Sequence, residues 1–145
     1  MKKINVTDAR KDMSSFFDSV IHEKPVILKR RKYEAVLVEK SLLKMMLEYA
    51  KIEVSAIQTK SKWVYHATLL DVFAEGETKV EAETNLCNEL IKYAEDVYNN
   101  FMFYYYGQNI QNKLPYIFHI LNCESIDDVK SILKYTKKVK KTKSE

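Results

Sequence analysis

The chain has 145 residues with 24 Lys+Arg against 20 Asp+Glu, 46% hydrophobic and 30% charged side chains, the balance of a globular fold and not of a disordered one. No run approaches the length of a membrane span, and Met1-Lys2-Lys3-Ile4 lacks the long apolar core of a signal peptide. Cys87 and Cys123 lie far apart without secretory context, so the expectation is two reduced thiols in a cytoplasmic protein of one ordinary domain or two small ones.

The first fifty residues read β-α-β-β-α. A short apolar strand stops at Thr7, whose hydroxyl is placed to cap a helix. That helix carries Ala9, Met13, Phe16, Phe17, Val20 and Ile21 on one stripe and ends near Lys24-Pro25, because proline disfavours helical backbone in the residue before it. Val26-Ile27-Leu28 and Ala35-Val36-Leu37-Val38 flank the cations Lys29-Arg30-Arg31-Lys32 and read as a hairpin. The tip carries neither glycine nor asparagine, so a tight two-residue primed turn is not expected. Ser41 then caps a second helix containing Leu42, Leu43, Met46, Leu47 and Ala50.

Residues 51–62 read as a connector of low periodicity, in which the alternating Ile52-Glu53-Val54-Ser55-Ala56 could be a short strand or the frayed end of the second helix, and Trp63 to Phe73 reads as one strand closed by Gly76. Thr78-Lys79-Val80-Glu81 is a capping box opening a helix with Cys87, Leu90, Ile91, Ala94, Val97 and Tyr98 inward, which could run on through Phe101–Tyr106 to Gly107. Leu114–Leu121 reads as a short buried helix with Pro115 at its start, and Ser125 caps a last helix with Val129, Ile132 and Leu133. The five lysines between Lys137 and Lys143 are too polar to pack, so 135–145 reads as a basic, flexible tail. The expected class is α+β: a head over 1–50, the connector, a strand-plus-helices region over 63–134, and the tail.

Charge is uneven. Residues 1–50 carry 11 Lys+Arg against 7 Asp+Glu, residues 51–134 carry 8 against 12, and the tail is basic again, which points to separate partners for separate regions. A fifty-residue head with one helix stripe and a hairpin buries too little apolar surface to offset chain entropy. Phe16 and Phe17 point about 100° apart on a helix. A second copy is therefore expected to complete the wall, with Met13, Phe16, Phe17, Val20, Leu28 and Val36 as the dimer core. The alternative is that residues 51–134 cover it.

Arg10 in a first helical turn opposes the helix dipole by about 0.3–1 kcal/mol, which an external phosphate or base edge would offset. Pairing with Asp8 or Asp12 is the other reading. Four cations at a hairpin tip cannot all face a core; they guard a strand edge or, doubled by a dimer, meet a nucleic-acid backbone. Lys3, Thr7, Arg10, Lys29, Arg30, Arg31 and Lys32 form the candidate DNA-binding set. The aromatic run Phe101–Tyr106 reads as core or partner surface before it reads as a base-stacking platform. His22, His66 and His119 are scattered, no Cys/His spacing suits a metal, and no glycine-rich loop cradles phosphate, so no cofactor and no catalysis are expected.

Val6-Thr7-Asp8-Ala9-Arg10, Phe16–Val20, Pro25–Arg31 and Ala35–Val38, in register, resemble the N-terminal module of the prevent-host-death (Phd/YefM) antitoxin family. The resemblance implies a two-fold dimer built on the sheet and first helix, with the arginine at the Arg10 position on operator DNA. The run Ala74–Ala82, with Tyr93–Asp96 and Leu114-Pro115-Tyr116, is similar to the second half of Phd-headed antitoxins paired with RelE-like toxins, and more loosely to the HicB antitoxin domain. Together they imply an autorepressing antitoxin whose partners are operator DNA, a RelE-like ribonuclease toxin and a second copy of itself. The atypical hairpin tip leaves open a plain interaction module whose dimeric head no longer binds DNA.

Overall fold

A computed structural model describes residues 1–136 and the backbone of 140–141, and divides into two compact units, Met1–Met46 and Leu47–Glu145. In the first, strand β1 (Lys3–Asn5) leads into helix α1 (Val6–Lys11), helix α2 (Met13–His22), strands β2 (Val26–Arg30) and β3 (Tyr33–Leu37), and helix α3 (Lys40–Met46). β2 lies between β1, parallel to it, and β3, antiparallel to it. Ala9, Phe16, Val20 and Val26 are buried together, with Ile4, Leu28 and Leu37 against them. Strand alternation puts Val26 and Leu28 on that side of the sheet and Lys3, Ile27, Lys29, Glu34 and Val36 on the other.

The first helix is two helices. Asp12 leaves helical geometry (φ −147°, ψ 83°) and caps α2, its carboxylate accepting from the Ser15 amide at 3.0 Å and the Ser15 hydroxyl at 2.8 Å. Those bonds hold the Asp12 carboxyl below its ordinary range. Two further expected caps are replaced. Asn5 stands at the start of α1, leaving Thr7 within it, and the Glu39 carboxylate, not Ser41, accepts from the Leu42 amide. α3 stops at Met46, short of Ala50.

The second unit is built on a sheet where one strand, with a second left open at Ile52–Ala56, was expected. The stretch read as a connector supplies its central strand, β4 (Ile52–Gln58), and the stretch read as one strand is the hairpin β5 (Trp63–Ala67) and β6 (Val72–Gly76). Asp71 closes that hairpin at φ 55°, a conformation aspartate tolerates. β7 (Leu133–Tyr135) and β8 (Lys140–Lys141) pair parallel with β4, so Leu133 and Tyr135 are strand residues and not helix end and tail. The remaining tail residues, 137–139 and 142–145, lie outside the described residues.

Helix α4 (Lys79–Asn99) covers the sheet with Ala82, Leu86, Cys87, Leu90, Ala94 and Val97. Thr78 accepts from the Glu81 amide at 3.1 Å while Glu81 reaches back to the Glu77 amide at 2.8 Å, the reciprocal bonds of a capping box shifted by one residue. Gly76 is required sterically, since a Cβ there would lie 2.4 Å from the Ala82 nitrogen. The chain breaks at Asn100 before α5 (Phe101–Gly107), so the long helix does not run on uninterrupted. α6 (Leu114–Leu121) and α7 (Ile126–Ser131) complete the core, α7 capped by Ser125 as expected. In α6 the buried His119 holds the Ala50 carbonyl through Nδ1 at 2.8 Å. Burial pushes the Cys87 thiol up to about 11.

Candidate nucleic-acid interface

The hairpin tip is the tight two-residue turn that the sequence argued against. Arg30 pairs with Tyr33, so Arg31 and Lys32 alone form the loop, and Arg31 takes φ 55°. An L-residue pays roughly 1–2 kcal/mol for left-handed backbone, and glycine or asparagine would relieve it. A cation is held there at a conformational cost.

The turn brings the end of β2 to the start of α1. Asn5, Val6, Thr7, Asp8, Lys29, Arg30 and Arg31 line one open cleft of about 360 Å³. Of the seven cationic and polar candidates, Thr7, Lys29, Arg30 and Arg31 therefore meet in one place. Lys3, Arg10 and Lys32 do not line it. Lys32 lies 5.4 Å from the centre of the Tyr33 ring, a cation–π placement. Lys3 is bonded to Glu34 at 2.8 Å, a pair that holds the Glu34 carboxyl below its ordinary range with help from Lys29.

Arg10 differs from expectation in one respect. Because the helix breaks at Asp12, Arg10 stands in the last turn of α1, where the dipole favours a cation. The dipole opposition expected from sequence is therefore absent. Its two candidate partners are nonetheless engaged elsewhere: Asp8 with Lys11 at 3.2 Å, and Asp12 with Ser15. Among the described residues Arg10, Arg30 and Arg31 form no ion pair, and all three are exposed.

Of the six candidate dimer residues, Phe16 and Val20 are buried within their own unit and Leu28 packs against them. Met13, Phe17 and Val36 are 54%, 57% and 55% exposed, joined by Ile21 on the helix and Tyr33 on the hairpin. Sequence reasoning missed Tyr33 and Ile21 as part of this open apolar set, although adjacency to the hairpin cations and the i, i+4 step from Phe17 both marked them. No group of three His, Cys, Asp or Glu is placed to hold a metal among the described residues. No helix among them is long and apolar enough to cross a membrane.

The described chain is thus two α+β units, the first of which holds Arg31 exposed in a strained hairpin tip. The family model of PHD-like antitoxins of RelE/RelB toxin–antitoxin systems matches residues 1–135, and the chain belongs to that family. It is also similar, at 27% identity and a TM-score of 0.87, to the crystal structure of the antitoxin part of a proposed toxin/antitoxin system from Syntrophomonas wolfei subsp. wolfei, over 94% of this chain and 99% of that one. No curated protein matches it significantly.

Proposed function

We propose that this antitoxin works as a homodimer of the Phd/YefM kind in the cytoplasm, binding its own operator through the Met1–Met46 unit and neutralising a RelE-like toxin through the other. The observation that carries the DNA reading is the state of the arginines. Asp8, Asp12 and Glu34 each have another partner, so Arg10, Arg30 and Arg31 are left to an external anion. Arginine forks suit phosphate oxygens and guanine edges, and a two-fold axis would present each set twice, its spacing fixing the separation of half-sites.

If each protomer neutralises three phosphates, the log–log salt slope of binding is roughly −5. The deciding measurement is a gel-shift titration on the DNA upstream of this chain's own reading frame. Arg10→Ala should weaken binding by about 1–3 kcal/mol if it reads a base, and by less, uniformly across sequences, if it touches phosphate. An unchanged titration removes Arg10 from the site. No binding by the wild-type chain at low salt would leave the head as an assembly module only.

A further inference from the structure

A solvent-facing helix normally carries its polar residues outward, as α4 does with Glu89, Lys92, Glu95 and Asp96. α5 does not. Its sequence, Phe-Met-Phe-Tyr-Tyr-Tyr-Gly, has no charged residue, yet none of its residues is buried. Tyr104 packs against the unit's own core, and Phe101 lies edge-on to Phe118 with ring centres 6.3 Å apart. On the outside, Met102, Phe103 and Tyr106 are 61%, 65% and 76% exposed, and Tyr98 of the preceding turn is 61% exposed. The backbone ladder carries on through the break, Asn100 to Asp96 and Tyr104 to Asn100, so Tyr98, Met102 and Tyr106 follow one another at four-residue steps. The result is one aromatic ridge.

A helix apolar on every side is a helix with a missing cover, and tyrosine, phenylalanine and methionine are the residue types enriched at interface centres. The surrounding charge selects among possible covers. From 93 to 112 the chain carries Glu95 and Asp96 and no Lys, Arg or His; of the lysines that flank this stretch, Lys92 is paired with Glu89 at 2.7 Å and Lys113 lies beyond α5. A second copy laid ridge to ridge would set these carboxylates against their own kind. A partner with an apolar socket and a cationic rim would satisfy both features.

We propose that the ridge formed by Tyr98, Met102, Phe103 and Tyr106 is the toxin-docking surface, with Glu95 as the acidic contact for a basic rim on the toxin. This rests on the antitoxin reading and adds the place where the partner sits. The occlusion requires no chemistry from this chain.

The full-length chain is immobilised and titrated with the purified product of the reading frame adjoining its own. Phe103→Asp with Tyr106→Asp should weaken capture at least about tenfold, with the melting curve retained, because anchors at an interface centre dominate its energy. Glu95→Lys should weaken capture and flatten its salt dependence, whereas Arg10→Ala should leave capture untouched. Should the double variant melt early, Met102→Glu alone repeats the measurement at a residue that supports little core. Undiminished capture by the ridge variants overturns the proposal while leaving the antitoxin reading intact. A fall in the chain's own oligomeric mass on ridge substitution also overturns it, by showing a second copy there. No capture by the wild-type chain overturns ridge and partner together, and an operator shift that persists would then show that the DNA reading survives.

Discussion

Among the described residues, the Met1–Met46 unit closes around four buried apolar side chains, Ala9, Phe16, Val20 and Val26, whereas the Leu47–Glu145 unit encloses sixteen. The larger unit uses them to fasten a five-stranded sheet under a 21-residue helix, with strands drawn from both ends of its sequence. The smaller leaves Met13, Phe17 and Val36 more than half exposed. A core of four side chains falls well short of what about fifty residues need to offset their conformational entropy. The difference gives the proposed dimer its rationale: on that reading the larger unit holds a core of its own, and the smaller is completed by a second copy.

The largest expected effect tests the self-sufficient side. Leu86 is wholly buried where α4 crosses the sheet. Leu86→Ala should cost about 2–5 kcal/mol in denaturant unfolding, by lost transfer energy and an unfilled cavity. A cost under about 1 kcal/mol would mean that the second unit is looser than its core suggests.

Phe17→Asp probes the other side. The side chain is 57% exposed, so the protomer's own packing is barely touched. A head completed by a second copy should nevertheless lose it: light scattering should report single chains, and the concentration dependence of melting that marks a dimer should disappear. Unaltered mass would exclude α2 from the interface.

How far the residues announced all this varies with range. The capping box at Thr78, the Ser125 cap, the proline-led α6 and the hairpin cations were legible because each is a local signal. Asp12 was not, because Ala9, Met13 and Phe16 keep a continuous apolar stripe across the break, although Asp12-Met13-Ser14-Ser15 is itself a cap sequence. The alternation Ile52-Glu53-Val54 was visible, but what makes it a central strand is pairing with Leu133–Tyr135, some eighty residues away. The β5–β6 hairpin was hidden by Leu70, a buried residue inside the loop, which made the apolar run look unbroken. In the candidate site the residue types were readable and the pairing was not: nothing local says that Glu34 takes Lys3 while Arg10 is left without a carboxylate.

A smaller effect separates strain from function. Arg31→Gly removes a side chain from left-handed backbone and should stabilise the head by about 1 kcal/mol. On the proposed interface it should also weaken DNA binding, since a phosphate contact is lost. Stability gained with affinity unchanged would reduce the tip to a guarded strand edge.

The smallest effect belongs to Glu34, and it bears most directly on the division between the units. At neutral pH its carboxylate occupies Lys3 and sits beside Lys29, so it subtracts from the cationic face that the head presents. Its pKa in the fold is lowered; the pair therefore contributes stability above the ordinary carboxylate range and loses it as pH falls through that lowered value. Glu34→Gln imposes the protonated charge at every pH. Stability should change little, because the pair is exposed and screened. DNA affinity should rise and the salt slope should steepen by about one for each Lys3 released to a phosphate. The same substitution should leave capture of the toxin unmoved, since Glu34 belongs to the head. A variant that gains no affinity would place Lys3 away from the duplex and confine the interface to the cleft at Arg30 and Arg31.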